Sequence, residues 1–403
     1  MKCKFTFMEN LRQQCEIKLK DISTKHIRDL YHEIDWNERL VGIRGPRGVG
    51  KTTMICQRIL TAFPDRSKAM YVSLDNIWFA NKTLVELADM AYREGITHLF
   101  LDEVHKLRGW QQQIKNIYDI YGSLNIVFTG SSLLEIDNAI ADLSRRCVVY
   151  DIHTLSFREY LNFRGYEFPV VTLSEILYDH IGIANRISSQ VNILRMFDKY
   201  LAYGNYPFFI DTSEKSNLIK VANTITAVIE NDIPAVENVE YPTLMRCKQV
   251  LGILASQTPS PINISMTASL MDVTGSQLLK ILWMLDKSKI LRLLYYKTEK
   301  DSRSLRKPQK ILFGNTSLLY ALENPDKGKI RETFLAAGLA PKHRLGYPRS
   351  GDLLVDNRYL FEVGGINKKF TQIADIPDSF LAMDGIETGF GNKIPLWLFG
   401  FLY

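Results

Sequence analysis

The chain has 403 residues, of which 46% are apolar and 23% are charged. These values are ordinary for a globular protein, so they exclude a mainly disordered or fibrous chain. Because domains usually hold roughly 100 to 200 residues, the length predicts two or three of them.

The net charge of +6 is unevenly distributed. Residues 251–350 hold 16 basic and 7 acidic side chains, whereas the rest of the chain holds 34 and 37. A local basic excess is typical of a surface that binds a polyanion, although a solvated lysine-rich surface has the same composition. If a polyanion other than a nucleotide binds this protein, we expect it to bind this stretch.

Cysteine usage and the N-terminus indicate the compartment. The five cysteines are scattered and include no CxxC pair, which indicates neither a disulfide framework nor a zinc site. The first residues lack the apolar run of a signal peptide, and no stretch approaches about 18 uninterrupted apolar residues. We therefore expect a reduced, cytoplasmic protein without a membrane span.

The sharpest motif is Gly45-Pro46-Arg47-Gly48-Val49-Gly50-Lys51-Thr52, which fits GxxxxGK[ST]. It follows an apolar run that predicts a strand and precedes a helical pattern beginning at Thr53. Such glycines let backbone N–H groups surround a phosphate, and the helix N-terminus adds a favourable dipole. Lys51 would contact the β and γ phosphates and Thr52 would ligate Mg²⁺. We therefore predict an ATP–Mg²⁺ site formed by residues 45–53.

A second strand pattern ends in two carboxylates, His98-Leu99-Phe100-Leu101-Asp102-Glu103. Asp102 stands where a Walker B aspartate holds Mg²⁺, and Glu103 is the candidate base for the attacking water. Between the two motifs, Met70 to Leu74 predicts a further strand and Lys82 to Arg93 a helix. The additional strand and the second carboxylate favour an ATPase over a small GTPase.

A fourth strand, Asn125 to Thr129, is followed by Gly130 and two serines. Polar side chains therefore follow its carboxyl end, where open α/β sheets bind ligands. Thr129 or Ser131 is a candidate for sensing the γ-phosphate or positioning water, although hydroxyls also cap turns.

An arginine pair, Arg145 and Arg146, precedes a fifth strand, Cys147 to Ile152. Two interpretations are open for this pair. One of the arginines stabilises transition-state charge as an arginine finger, or both are surface residues.

Four segments together resemble a widespread family of prokaryotic ATPases: GIRGPRGVGKTT, LFLDEVHKLRGW, IVFTGSSLLE and DLSRRCVVYDIHTLSFREYL. That family has an N-terminal AAA-type P-loop domain and a C-terminal half of unknown function related to restriction-endonuclease folds. KILFGNTSLLYAL, GKIRETFLAAGL and GDLLVDNRYLFEVGG are similar to the C-terminal half, so the resemblance covers nearly the whole chain.

The resemblance implies an ATPase of the AAA+ or signal-transducing type. Lys51, Thr52, Asp102 and Glu103 stand at its matching motif positions. Where this chain has two arginines, the family often has Gly then Arg, so only Arg146 carries over.

Residues 156–240 show helical patterns broken by glycine and proline, without any catalytic spacing. A helical lid or connector is therefore favoured over a separate active site. From residue 241, three helical patterns over Thr243–Ala255, Ser265–Met271 and Ser276–Ser288 precede strand patterns over Ile290–Tyr296 and Gln309–Phe313. This order predicts a winged helix. The hairpin between its strands carries Lys297, Lys300, Arg303, Arg306 and Lys307.

Residues 276–310 are therefore the candidate DNA contact. The outward stripe expected for the third helix contains only Gln277, Lys280, Met284 and Lys287. A sequence-specific reader normally presents more Arg, Asn or Gln, so backbone contact is favoured over base recognition. A winged helix that only packs on protein is the competing interpretation.

The C-terminal segment has the carboxylates of a restriction-like nuclease, Glu332, Asp352 and Glu362. A three-residue loop over 356–358 places residue 355 opposite 359 and both Asp352 and Glu362 on one face. The nuclease lysine position, two residues after Glu362, is Gly364. Lys368 would lie about 13 Å further along an extended strand, too far to substitute unless the strand has a bulge at Gly364 and Gly365. We therefore expect a degenerate nuclease fold that acts as a structural or binding module.

These observations predict an α/β protein in which a parallel P-loop NTPase sheet of the AAA+ type precedes a helical lid, a winged helix and a small α/β domain. The predicted segments are 1–155 for the P-loop ATPase domain, 156–240 for the helical connector, 241–313 for the winged helix and 314–403 for the degenerate restriction-endonuclease-like domain.

The leading hypothesis for function is a Mg²⁺-dependent ATPase that acts as a switch or motor and contacts DNA through its C-terminal modules. The alternatives are a nucleotide-gated scaffold that binds a protein partner and hydrolyses ATP slowly, and a metal-dependent nuclease. The oligomeric state is left open. The predicted catalytic residues are Lys51, Glu103, Thr129 and Arg146, and the predicted metal ligands are Thr52 and Asp102.

Overall fold

A computed structural model describes residues 2–130, 143, 145–256, 262–296 and 307–403. The chain divides into two compact units. The P-loop unit comprises Met1–His153 and Asn231–Asn238, and the C-terminal unit comprises Thr154–Glu230 and Val239–Tyr403. Within the described ranges, every helix is too short or too polar to cross a membrane.

A five-stranded sheet organises the P-loop unit, in the spatial order β2-β3-β4-β1-β5. All neighbouring strands are parallel, which confirms the predicted parallel sheet. The central strands are buried apolar runs, as expected for a parallel sheet covered on both faces. The strands are β1 Leu40–Arg44, β2 Ala69–Ser73, β3 His98–Asp102, β4 Asn125–Gly130 and β5 Val148–Asp151.

Helices pack against this sheet, and local residues determine where they begin. Thr83 and Glu86 form a reciprocal capping box at the start of one helix, and this satisfies two otherwise unpaired backbone N–H groups. Trp110 begins the following helix and is fully buried, with its ring centroid 5.3 Å from that of Phe128. The helices are α1 Lys2–Lys20, α2 Leu30–Glu33, α3 Lys51–Ala62, α4 Leu84–Arg93 and α5 Trp110–Ile120, and Ile233–Val236 forms a further short helix.

The C-terminal unit begins with helices and then combines helices with strands. Three of its helices start with capping boxes, Ser156 with Glu159, Thr172 with Glu175 and Thr274 with Gln277. The helices are α6 Phe157–Asn162, α7 Leu173–Ser188, α8 Ile193–Lys199, α9 Glu214–Ala227, α10 Tyr241–Ser256, α11 Ile264–Leu270, α12 Gly275–Lys287, α13 Thr316–Leu322 and α14 Lys327–Leu339.

An antiparallel ribbon follows α12 and consists of β6 Leu291–Leu294 and β7 Lys310–Phe313. The three preceding helices and this ribbon occur in the order that the sequence predicts. Met284 was expected on the outward face of α12, and this expectation is wrong. The Met284 side chain is fully buried because it faces the core. Lys307 is exposed. The other predicted cations of the hairpin, which lie outside the described residues, are Lys297, Lys300, Arg303 and Arg306.

A second, mixed sheet of five strands has the order β12-β11-β10-β9-β8. Tyr359 lies opposite Val355, so the predicted hairpin register is confirmed. Its apolar face packs into a core that includes the buried aromatic residues Trp397 and Phe399. The strands are β8 Leu345–Gly346, β9 Leu353–Val355, β10 Tyr359–Gly364, β11 Ser379–Met383 and β12 Lys393–Pro395.

The packing around Gly45, the residue that follows β1, allows a stability test. A Cβ atom at this position would lie 2.1 Å from the Ile152 carbonyl oxygen. Because backbone cannot yield as a side chain does, we expect Gly45→Ala to lower the free energy of unfolding by about 1–3 kcal/mol. Urea denaturation measures this change. Gly122→Ala is the matched control, since its Cβ would meet nothing within 4 Å; equal stabilities of the two variants would contradict the packing explanation.

Candidate functional site

The loop from Gly45 to Gly50 joins β1 to α3. Gly48 and Gly50 have φ values of 83° and 98°, a left-handed conformation that glycine adopts without steric penalty. Gly50 is the N-cap of α3 and supplies no side-chain cap to the helix. The first N–H groups of a helix have no partners within it, so they are suited to bind an anion.

Lys51 lies over this loop and is buried. Its Nζ atom donates hydrogen bonds to the carbonyl oxygens of Gly45, at 2.9 Å, and Pro46, at 2.8 Å. Burial lowers the pKa of Lys51, and the nearby carboxylates of Glu103 and Asp102 act in the opposite direction. The ammonium group is therefore held at the loop by carbonyl oxygens and by the charge of the Glu103 and Asp102 carboxylates.

Arg28 stabilises the same loop and was not found by sequence reasoning. Its Nη1 atom donates to the Val49 carbonyl oxygen at 2.8 Å, and its Nη2 atom donates to the His153 carbonyl oxygen at 3.0 Å. The partners of these two hydrogen bonds lie 21 and 125 positions from Arg28 along the chain. A single arginine outside any motif carries no local pattern that would reveal this role.

Asp102 is the centre of a hydrogen-bond network at the carboxyl ends of the strands. The Thr52 hydroxyl donates to Asp102 Oδ2 at 2.7 Å, and the Tyr71 hydroxyl donates to the same atom at 2.9 Å. Thr129, from β4, donates to Asp102 Oδ1. The structure thus brings Thr52, Asp102 and Thr129 together and adds Tyr71, which sequence reasoning missed.

This donor set fits magnesium. Thr52 and Asp102 supply hard oxygen atoms, and Mg²⁺ in nucleotide sites is commonly held by one or two protein oxygens together with water and phosphates. No group of three or more His, Cys, Asp or Glu residues that could hold a metal occurs among the residues described. The pair is therefore suited to an ion that arrives with a nucleotide rather than to an all-protein metal cage.

Glu103 occupies a strained position directly after β3. Its φ of 56° lies in the left-handed region, which costs a non-glycine residue on the order of 1 kcal/mol or more. The Glu103 N–H group donates to the Thr129 hydroxyl at 3.3 Å, and its Oε2 atom lies 3.3 Å from His105 Nε2. The surrounding contacts thus hold this carboxylate beside the Asp102 network.

Asp232 reaches the same region from a distant part of the chain. Its Oδ1 atom accepts a hydrogen bond from Arg47 Nη1 at 2.9 Å and lies 3.9 Å from both His105 Nε2 and Lys106 Nζ. Burial alone would raise the pKa of Asp232, but the hydrogen bond and charge of His105, with Arg47 and Lys106, lower it overall. No motif surrounds Asp232, so the sequence alone did not reveal this contact.

The remaining predicted residues differ in their surroundings. Arg146 donates two hydrogen bonds to the Asp119 carboxylate, at 2.9 and 3.1 Å. Its role as an arginine finger stays a prediction. Arg145 is exposed, and Ser131 lies outside the described residues.

The carboxylates predicted in the C-terminal unit are paired with two lysines. Lys310 Nζ lies 2.7 Å from Glu332 Oε1 and 3.5 Å from Asp352 Oδ1. Lys368 Nζ lies 2.7 Å from Glu362 Oε1, and the Glu362 side chain is buried. We call these five residues the lysine–carboxylate cluster.

Lys368 contacts Glu362 because the extended strand does not continue beyond Gly364, which corresponds to the exception of a bulge at Gly364 and Gly365. β10 ends at Gly364, where the chain turns, and the Lys368 N–H group donates to the Gly365 carbonyl oxygen at 2.9 Å. A Cβ atom on Gly364 would lie 2.4 Å from the Cβ of Lys368. The glycine thus makes room for the lysine to fold back over the strand end.

Comparison with known proteins places these features in context. Residues 37–161 match a family model described as an AAA domain. This match identifies residues 37–161 as an AAA domain. Residues 194–329 match a domain of unknown function.

An uncharacterized protein of Methanocaldococcus jannaschii is 30% identical over 302 residues, which are 71% of this chain and 62% of that protein. The chain therefore spans less than two thirds of that relative.

Solved structures show weaker similarity. The Walker-type ATPase of Pyrococcus abyssi matches with a TM-score of 0.39 and 13% identity, over 75% of this chain and 99% of that one. The AMPPCP-bound DnaA of Aquifex aeolicus matches with a TM-score of 0.27 and 14% identity, over 65% of this chain and 87% of that one.

The lysine–carboxylate cluster predicts a pH dependence of stability. Burial raises the pKa of Glu332 to about 7; Lys310 opposes this shift and Asp352 adds to it. Between the ordinary glutamate pKa and 7, the folded protein keeps this proton and the unfolded chain releases it. The free energy of unfolding should therefore fall as pH rises through that window, by up to about 3 kcal/mol.

Urea denaturation at pH 5 and pH 8 measures this effect. Glu332→Gln should reduce the difference between the two pH values, because the glutamine does not titrate. The exposed Glu387 provides a control, Glu387→Gln, that should leave the difference as in the wild type. An unchanged difference in Glu332→Gln would show that another group causes the pH dependence.

Proposed function

We propose that this protein is a Mg²⁺-dependent ATPase that works as a nucleotide-driven switch or motor. The main supporting observation is the hydrogen bond of 2.7 Å between Thr52 and Asp102, which joins the P-loop helix to the Walker B strand. Lys51 lies at the same loop, bonded to Gly45 and Pro46. Together they provide phosphate binding and hard oxygen ligands in one place.

Each residue has a distinct role in the proposed reaction. The loop amides and Lys51 bind the phosphates and oppose their negative charge. Mg²⁺, held by Thr52 and Asp102, would neutralise charge on the β and γ oxygens. Glu103 orients water for in-line attack on the γ phosphorus and takes its proton as the bond to the β-phosphate oxygen breaks. Thr129 and Tyr71 hold the Asp102 carboxylate in one orientation through their hydrogen bonds.

Two substitutions separate binding from chemistry. We expect Lys51→Ala to reduce both nucleotide binding and turnover, because it removes the buried cation. Glu103→Gln should keep binding and reduce turnover at least 100-fold, in the range that general base catalysis contributes. A phosphate-release assay and a fluorescent ATP analogue measure the two effects.

The control for these variants is Lys18→Ala, which removes an exposed lysine on α1 and should behave as the wild type. A wild-type turnover rate in either Lys51→Ala or Glu103→Gln would end the assignment as an ATPase that uses this site.

We further propose that residues 276–310 contact DNA through its phosphates. The support is the local basic excess and the exposure of Gln277, Lys280 and Lys307. Between Lys280 and Lys287 lies the half-buried Trp283, whose indole ring is mostly apolar and has a single hydrogen-bond donor. This composition favours contact with the DNA backbone over reading of base edges.

The competing proposal is a nucleotide-gated scaffold that hydrolyses ATP slowly and binds a protein through the same unit. The lysine–carboxylate cluster favours a structural or binding role for this unit over a nuclease. Lys310 Nζ already contacts oxygen atoms of Glu332 and Asp352, which would otherwise be available to a metal ion. We therefore propose no cleavage step there.

DNA binding and ATP turnover at two salt concentrations distinguish these proposals. If DNA binds here, neutralising four cations together should weaken binding and reduce its salt dependence, since each lost phosphate contact lowers the slope by about one. Duplex DNA should also stimulate turnover in the wild type. The four positions are Lys300, Arg303, Arg306 and Lys307.

The matched control neutralises four exposed lysines of the P-loop unit and should leave the salt dependence unchanged. Undiminished DNA binding in the first variant would show that the basic excess is only a solvated surface. Absence of stimulation together with a tight protein partner would favour the scaffold. The control positions are Lys18, Lys20, Lys25 and Lys68.

A further inference from the structure

Residues 231–238 are set apart from their neighbours in the sequence. They belong to the P-loop unit, although the chain on both sides of them belongs to the C-terminal unit. Their short helix, Ile233–Val236, packs against the turn Val104–Lys106 that follows Glu103. Ile233 is buried, which anchors the segment by apolar contact.

Asp232 precedes this helix and carries a buried negative charge beside the P-loop. One of its oxygens, Oδ1, accepts from Arg47 and faces His105 and Lys106. The other, Oδ2, is buried and accepts no hydrogen bond from the residues described. The carboxylate therefore interacts with cations of the nucleotide site through Oδ1, while Oδ2 could still accept a hydrogen bond.

Arg47 is the cation that links Asp232 to the nucleotide site. It lies within the P-loop, between Pro46 and Gly48, and its side chain is 36% exposed, against 4% for that of Asp232. The carboxylate is fixed by burial, whereas the guanidinium group has room to change partner. The charge of Asp232 also acts on Lys51, the cation that would contact the phosphates.

A nucleoside triphosphate and the Asp232 carboxylate are both anions, and both would interact with the same cations. At the distances of a single site, like charges repel appreciably even at an effective dielectric constant of about 20. Bound phosphates also offer Arg47 two oxygen atoms for bidentate hydrogen bonding, which the planar guanidinium group favours. Phosphate binding is therefore expected to weaken the contact between Arg47 and Asp232.

We propose that Asp232 is a resident anion of the nucleotide site that competes with the phosphates for Arg47. In the empty site it neutralises Arg47 and lowers the affinity for nucleotide. When nucleotide binds, Arg47 turns to the phosphates, and the change at Asp232 is passed to residues 231–238 along the backbone. This inference rests on the proposed ATP binding and adds a regulatory residue to it.

The test compares the affinities of Asp232→Asn and wild-type protein for fluorescent ADP and ATP analogues. Asparagine keeps the size of the side chain and an oxygen that accepts from Arg47, but it removes the charge. We expect about tenfold tighter binding of ATP and a smaller gain for ADP, which carries less charge. Asp232→Glu, which restores the charge, should return the affinity toward the wild-type value.

A double-mutant cycle assigns the effect to Arg47. In the Arg47→Ala background, the gain from Asp232→Asn should shrink, because the contested cation is absent. Asp89→Asn is the matched control: it also removes an arginine-paired carboxylate of the P-loop unit, the partner of Arg93. This control should leave both nucleotide affinities unchanged.

The possible outcomes separate the roles. If Asp232→Asn binds ATP no more tightly than the wild type, the inference is overturned, because a purely structural residue would give the same result. This holds whether or not the melting temperature of the variant falls. If wild-type protein binds neither analogue, the proposed ATP binding itself fails and this inference fails with it. Wild-type binding without a gain in the variant overturns the role of Asp232 alone.

Discussion

The candidate nucleotide site depends on the hydrogen bonds that the Asp102 carboxylate accepts. Asp102 stands at the end of β3 and accepts hydrogen bonds from Thr52, Tyr71 and Thr129, which belong to α3, β2 and β4. Four elements thus converge on one buried charge. Since a buried carboxylate is tolerated only when its oxygens are satisfied, these contacts position the strand ends as much as they position the ligand.

The parallel sheet explains why such convergence is possible. In a parallel sheet, the carboxyl ends of all strands lie along one edge, so residues far apart in sequence meet there. The position after β3 is also where Glu103 adopts a left-handed backbone conformation. That conformation is maintained because the buried strand, the Thr129 hydroxyl and His105 constrain the turn from several sides.

Most of the site residues that the sequence predicts belong to short motifs. The P-loop and the two carboxylates after β3 depend on short spacings, so Lys51, Thr52 and Asp102 were visible without a structure. Arg28, Tyr71 and Asp232 were not, because each reaches the site through tertiary contact and lies outside any motif. A single Arg, Tyr or Asp is common, and only the folded chain distinguishes these from the rest.

The C-terminal sheet illustrates a different limit. The three-residue loop over 356–358 predicted the hairpin register correctly, since loop length fixes which residues of the two strands lie opposite each other. The predicted distance of Lys368 applies only to a strand that continues beyond Gly364, whereas β10 ends at that residue. Strand ends depend on contacts across the sheet and on the following turn, and local pattern constrains them least.

The position of residues 231–238 also affects how the protein is made. During synthesis, the five strands of the P-loop unit emerge within the first 153 residues, but one segment of that unit follows only after a further 77 residues of the other unit. Domains tend to fold as units as they leave the ribosome. Until residue 238 is available, the nascent P-loop unit exposes the surface that Ile233 later covers, and Arg47 has not yet met its carboxylate.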